Sequence, residues 1–168
     1  MKKENITSSI TQTKKLAEKI AKQVIKKRPE GQAFVVGLKG DLGGGKTTFV
    51  QGFAKGLKIR EKILSPTFVI YKKFPISNFQ FPNKLQISNS KFQNFYHFDC
   101  YRVRKSKEIL DLGFKEIISN PKNIVIVEWA DKIQKIMPKN TLWLNFEFIN
   151  ESTRKITFRK ITFRKITL

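Results

Sequence analysis

The chain has a single cysteine, Cys100, which excludes an internal disulfide and a cysteine-only metal site. No apolar run approaches the ~20 residues that cross a bilayer as a helix. The basic start, Met1-Lys2-Lys3-Glu4-Asn5, leads into a polar stretch and lacks the apolar core of a secretory signal. A cytoplasmic protein with no membrane association is the expectation. Acid is scarce as well: 13 Asp and Glu stand against 34 Lys and Arg, a formal net charge of +21. A field of that sign attracts polyanions and speeds encounter with them. RNA, DNA or an acidic protein would each answer to it. So would a codon bias, because Lys, Asn, Ile and Phe are all heavily used, as in an AT-rich genome.

Apolar residues are not scarce. They make up 40% of 168 residues, enough for one packed domain rather than a disordered chain. Thr11 to Lys27 reads as an amphipathic helix, with Leu16, Ile20 and Val24 on one stripe, ended by Pro29 and Gly31. Ala33-Phe34-Val35-Val36-Gly37-Leu38 is a short continuous apolar run, the pattern of a strand buried on both faces. Ile124-Val125-Ile126-Val127 is a second one, and it ends at Glu128. Between them, Thr47 to Leu57 reads as a helix, and Phe68 to Tyr71 and Phe95 to Tyr101 as strands. In the latter, alternation places His97 and Asp99 on one face. Thr141 to Ile149 alternates cleanly, as an antiparallel strand with one wet face does. Asn150-Glu151-Ser152 turns the chain back into Arg154 to Phe158.

Two stretches stand apart. Residues 72–94 are rich in Asn, Gln, Lys, Ser and Phe, and read as an inserted long loop or a poorly packed hairpin. The C-terminal residues repeat Arg-Lys-Ile-Thr-Phe at 154–158 and 159–163, then close with Arg-Lys-Ile-Thr-Leu at 164–168. A period of five reverses the face of each Ile/Phe pair from one copy to the next, so one sheet surface cannot bury them all. The domain is therefore expected to span residues 1–158, with 159–168 a basic tail.

The chemistry centres on Gly40-Asp41-Leu42-Gly43-Gly44-Gly45-Lys46-Thr47, followed by Thr48. This is a complete P-loop signature with a buried strand before it and a helix after it. Its glycines let backbone N–H groups turn toward a phosphate, and the helix N-terminus adds positive potential. Lys46 would reach the β- and γ-phosphates, and Thr47 would offer its hydroxyl to Mg²⁺. A P-loop enzyme also needs an acid at the end of a neighbouring buried strand. Glu128 meets that need, and Asp99 is the other candidate; either could hold the metal or orient the attacking water. His97 has no metal-ligand spacing around it and reads as a structural hydrogen-bonding group. The only Asn-Lys, Asn83-Lys84, runs on to Leu85-Gln86 rather than to the Asn-Lys-x-Asp that reads guanine, so ATP is the expected nucleotide.

Five blocks in order resemble the TsaE (YjeE) family. They are Gly40 to Phe49, Ser65-Pro66-Thr67-Phe68, His97-Phe98-Asp99-Cys100-Tyr101-Arg102, Leu112-Gly113-Phe114 with Glu116, and Val127-Glu128-Trp129. The resemblance implies a three-layer α/β P-loop NTPase fold with a mostly parallel sheet and antiparallel C-terminal strands. It also implies an ATPase of tRNA threonylcarbamoyladenosine synthesis that acts with TsaB and TsaD, and meets tRNA through that complex, without transferring the group itself. By the same resemblance, Lys46 and Thr47 take the phosphate and Mg²⁺ positions and Glu128 the Mg²⁺-linked acid. Asp99 takes the acid needed for hydrolysis, and Ser65 and Thr67 lie in a switch-like loop. Arg154 would lie near the nucleotide, and the segment around Thr11 near the adenine. The chain departs from the family in a longer stretch between Phe68 and His97 and in its repeated tail. Two other readings stay open: a small-molecule kinase on the same scaffold, and a nucleic-acid-binding module with a vestigial P-loop.

Overall fold

A computed structural model describes residues 2–26, 31–65, 70–76 and 92–159. The elements are β1 (Lys2–Thr7), α1 (Ile10–Val24), β2 (Phe34–Gly40), α2 (Lys46–Gly56), β3 (Tyr71–Pro75) and β4 (Asn94–Asp99). They continue as α3 (Ser106–Leu110), α4 (Phe114–Ser119), β5 (Asn123–Glu128), a 3₁₀ segment (Ala130–Ile136), β6 (Leu142–Phe148) and β7 (Arg154–Arg159). The seven strands form one sheet in the order β1-β7-β6-β2-β5-β4-β3. Strands β6, β2, β5 and β4 pair in parallel. β7 runs antiparallel to both β6 and β1, and β3 runs antiparallel to β4. Strands β1, β6, β2, β5 and β4 therefore share one direction, and only β7 and β3 oppose it.

The continuous apolar runs are explained by a core on each side of the sheet. Alternate residues of β2 and β5 fall in opposite cores. Val36, Leu38, Ile124 and Ile126 pack with α1 and α2, and Val35, Val125 and Val127 with Ile109, Phe114 and Ile133. Strand β5 is buried along its whole length. The result is three layers. Phe49, Phe53, Phe95, Phe98, Phe114 and Phe146 are fully buried, and each contributes about 1.5–3 kcal/mol by leaving water. Helices α1 and α2 touch closely because α2 offers glycine at the crossing. A Cβ on Gly52 would lie 2.4 Å from the Lys14 carbonyl oxygen, and one on Gly56 2.6 Å from Ala21 Cβ.

Several elements differ from the sequence reading. Helix α1 begins at Ile10, capped by the Ser9 hydroxyl, which accepts from the Gln12 amide, and ends at Val24 rather than Lys27. Strand β1 was not foreseen: all its residues but the exposed Ile6 are polar, and it is defined by pairing with β7 (Asn5 with Ile156, Thr7 with Arg154) rather than by an apolar face. Lys72 to Pro75, expected in the inserted loop, belong to β3, which starts three residues after the start of the expected strand at 68–71 and shares only Tyr71 with it. Tyr71 stacks on Phe98 at 4.8 Å and Phe74 on Phe95 at 6.0 Å, contacts that two intervening lysines disguise. Residues 66–69 and 77–91 lie outside the described residues. Strand β6 is antiparallel only toward β7; toward β2 it is parallel. Its Leu142, Leu144 and Phe146 are buried as expected, but Phe148, past the end of the core, is exposed. The first repeat forms β7, and residues 160–168 of the tail lie outside the described residues.

Candidate phosphate and metal site

The glycine-rich loop sits at the C-terminal end of the parallel strands, where β2 hands over to α2. Its backbone needs glycine for two separate reasons. Gly40 has φ +118°, and a Cβ there would fall 1.9 Å from the Phe146 carbonyl oxygen. Gly45 caps α2 in the left-handed region (φ +91°), with the Arg154 side chain already 2.9 Å from where its Cβ would stand. The first bond within α2 runs from the Phe49 amide to the Gly45 carbonyl. The amides of Lys46, Thr47 and Thr48 precede it, so they point out of the helix end, the usual seat of a phosphate. The Asp41 amide is engaged differently: it donates to the Phe146 carbonyl, while the Asp41 carboxylate accepts from the Phe148 amide at 3.1 Å. Leu42 projects outward and is exposed.

The Lys46 ammonium lies back over its own loop. It donates to the carbonyls of Gly40 (2.8 Å) and Asp41 (2.6 Å) and sits 3.7 Å from the centre of the Trp129 ring. Burial holds its pKa below the ordinary lysine value; Glu128, then Asp131, Asp41 and Asp99, pull the other way. Trp129 follows directly on β5 and takes a left-handed conformation (φ 56°), a rare one for a bulky residue. Its ring also packs against Tyr101 at 5.1 Å.

The acids expected to act sit side by side. Parallel pairing of β4 with β5 sets Asp99 opposite Glu128. The Thr47 hydroxyl donates to Glu128 Oε2 at 2.9 Å, joining residues 81 positions apart. Glu128 Oε1 lies 2.8 Å from His97 Nε2, and both side chains are buried. Asp99 is less enclosed. Its Oδ2 accepts from the Ser65 hydroxyl (2.5 Å) and its Oδ1 from the Tyr101 amide (3.0 Å). Magnesium takes oxygen ligands, typically one or two protein groups with water and phosphate completing the shell. A hydroxyl and a carboxylate oxygen converging at the mouth of the phosphate loop fit that ion. Among the described residues no group of three or more His, Cys, Asp or Glu side chains could hold a metal. The protein's share of such a site would thus be Thr47 and Glu128.

Arg154 is buried beside the loop. Its Nη1 donates to the Thr13 hydroxyl (3.3 Å) and its Nη2 to the Glu151 carbonyl (3.2 Å). Among the described residues no carboxylate forms an ion pair with it, which leaves a buried cation next to the phosphate loop. Thr13 in turn contacts Thr7 at 2.9 Å. Thr11, the expected adenine contact, is exposed on α1, and the bonds to Arg154 run through Thr13 instead. Sequence reasoning missed Thr13 and assigned no role to Trp129. Adjacency to Glu128 was the only signal for the tryptophan. For Thr13 there was none, since its partner lies 141 residues away. Of the two switch candidates, Ser65 reaches Asp99, and Thr67 lies outside the described residues.

A family model described as threonylcarbamoyl adenosine biosynthesis protein TsaE matches residues 7–156. The tRNA threonylcarbamoyladenosine biosynthesis protein TsaE of Bacillus subtilis (strain 168) is 36% identical over 124 residues, 74% of this chain and 68% of that protein. The protein of the same name from Rickettsia felis is 31% identical over 150 residues, 89% of this chain and 75% of that one. The crystal structure of Bacillus subtilis YdiB superposes with a TM-score of 0.66 at 28% identity, covering 94% of this chain and 84% of that chain.

Proposed function

The chain belongs to the TsaE family, and from that premise we propose that it binds and hydrolyses ATP as an accessory protein of tRNA threonylcarbamoyladenosine (t6A) modification, working with TsaB and TsaD in the cytoplasm. The single observation that carries the ATPase part is the contact between Thr47 of the phosphate loop and Glu128 of the neighbouring strand. That contact is the pairing P-loop hydrolases use to hold Mg²⁺ at the β- and γ-phosphates. The ion, when bound, neutralises charge that develops on the transferring phosphoryl group.

The remaining roles belong to side chains. The loop amides and Lys46 bind the phosphates, which requires the ammonium to leave the Gly40 and Asp41 carbonyls for the nucleotide. Glu128, bonded to Thr47, holds the metal side. Asp99, nearer solvent, orients the attacking water. Arg154 offers its uncompensated charge to the phosphates from the β7 side. The Ser65 bond to Asp99 gives the switch-like loop a direct line to the hydrolytic acid. Action on TsaB–TsaD, and through them on tRNA, rests on family membership. The test is ATP turnover by the chain alone and with purified TsaB–TsaD and tRNA. Turnover that rises with the partners is expected. Phosphorylation of a metabolite would favour a kinase instead, and absence of nucleotide binding would overturn both.

A further inference from the structure

We propose that His97 is a positioning residue for Glu128: carrying its hydrogen on Nε2, it pins one carboxylate oxygen so that the other faces Thr47 and the metal side of the nucleotide. The proposal rests on the ATPase reading for its purpose, but not for its geometry.

The geometry is closely fixed. His97 stands in the middle of β4 and is fully buried. Its direct partner across the parallel pairing is Ile126, and Asp99 pairs with Glu128. The imidazole therefore leans along the sheet past its own partner, two residues along β5, to reach Glu128 Oε1 at 2.8 Å. Its neighbours on the same face, Phe95, Ile124 and Ile126, belong to the apolar core. Among the described residues, Nδ1 has no hydrogen-bond partner.

These facts fix which ring nitrogen meets the carboxylate with a hydrogen. An ionised carboxylate only accepts hydrogen bonds, so the nitrogen facing Oε1 must carry the hydrogen. With the hydrogen on Nδ1 instead, two lone pairs would face each other at 2.8 Å and a buried N–H would be left unbonded. The 2.8 Å contact thus places a hydrogen on Nε2, with Nδ1 turned toward the core.

The purpose follows from what Glu128 would otherwise do. A terminal carboxylate torsion is broad and two-fold, so nothing intrinsic to glutamate keeps Oε2 on Thr47. Glu128 is also the acid that acts most strongly on Lys46. Released from His97, it could turn to the Lys46 ammonium, and both the metal ligand and the phosphate cation would be lost to each other. A buried hydrogen bond to the second oxygen prevents this, much as outer partners fix ligands in other metal sites, where losing one typically costs ~10–100-fold.

His97 is the only histidine of the chain, so its ring can be observed without assignment by mutation. In the intact protein labelled with ¹⁵N-histidine, the nitrogen spectrum should show hydrogen on Nε2. A downfield Nε2–H proton should also appear, and it should move or exchange away in Glu128→Gln. Hydrogen found on Nδ1 and not on Nε2 would overturn the proposal. The functional arm compares His97→Gln, whose amide can reach Glu128, with His97→Asn, whose amide stops short. His97→Asn should lose ~10–100-fold in partner-stimulated turnover. It should also lose the Mg²⁺-dependent part of ATP affinity while keeping the affinity measured in EDTA. His97→Gln should recover most of both. Equal behaviour of the two variants would reduce His97 to packing and overturn the proposal. Should the variants fail to fold, the spectrum of the unaltered protein still decides. Should the unaltered protein bind no ATP, the functional reading falls, and the same spectrum judges the His97–Glu128 bond by itself.

Discussion

At the scale of single residues, the site is a set of charged side chains, each engaged by a specific bond. Lys46 is expected to be indispensable for the nucleotide and dispensable for the fold. Its ammonium bonds to loop carbonyls and a ring face, none of which anchors the core. Lys46→Ala should abolish ATP binding in calorimetry and leave the melting curve nearly unchanged; retained affinity would sink the P-loop assignment. Its lowered pKa also sets a pH sense. The folded chain gives up this proton at a lower pH than an unfolded lysine does. Stability attributable to Lys46 therefore rises as pH climbs from the folded value toward 10.5, while attraction for phosphate fades over the same window. Glu128→Gln and Asp99→Asn should each bind ATP yet turn it over ~10²-fold more slowly with partners present. Wild-type rates in both would refute their roles. The placement of the acids, the lysine and the threonine around the loop was legible in the sequence because each sits at a fixed offset in a motif or at a strand end. Thr13 and Trp129 were not, because their contacts with Arg154 and Lys46 exist only once α1, β5, β7 and the loop are brought together.

At the scale of elements, the closest packing is between α1 and α2. Alanine is a better helix former than glycine by ~1 kcal/mol, so propensity alone predicts that Gly52→Ala stabilises. Sterics decide against it. The new Cβ would meet backbone, the Lys14 carbonyl oxygen at 2.4 Å, which cannot swing aside. Overpacking typically costs ~1–3 kcal/mol, so the variant should melt a few degrees lower at ~2–4 °C per kcal/mol. An unchanged or raised melting temperature would show that the helices part freely. Strand β7 is the last described element, and its residues Ile156 and Phe158 are buried. A chain ending at Arg159 should keep its melting temperature within ~2 °C and its ATP affinity. A fall of many degrees would mean that residues past 159 pack on the sheet. The same chain lacks Lys160, Arg164 and Lys165. Weaker tRNA binding at low salt would give the tail a role, and no change would mark it as a slippage remnant. The strands of the buried centre were legible because burial on both faces writes itself as a continuous apolar run. Strands β1 and β3 were not, since edge strands are held by pairing and carry lysine where a central strand carries valine.

At the scale of the whole molecule, net charge dominates. A formal +21 on 168 residues makes the folded chain repel itself. Added salt shortens the reach of that repulsion from ~10 Å at 0.1 M to ~3 Å at 1 M. The melting temperature should therefore climb by several degrees between ~0.02 and ~0.5 M sodium chloride. A flat or falling curve would show that the few ion pairs, such as Lys155 with Glu147, outweigh the repulsion. The fold class itself was legible from the alternation of buried runs and helices around one phosphate loop. The order of the sheet was not, because it depends on which strands meet across more than a hundred residues, as β1 and β7 do.

Strand β7 also has a genetic consequence. Its six residues, Arg154 to Arg159, read Arg-Lys-Ile-Thr-Phe-Arg, and residues 159–164 read the same six. A gene that loses one repeat unit in frame still encodes the strand residue for residue. The arginine beside Gly45, the isoleucine opposite Phe146 and the phenylalanine opposite Leu144 are all refilled from the copy behind. Loss of a second unit is the first to be felt, since it puts leucine at position 158. The repeat thus shields the strand that closes on the phosphate loop from the kind of deletion to which repeats are most prone.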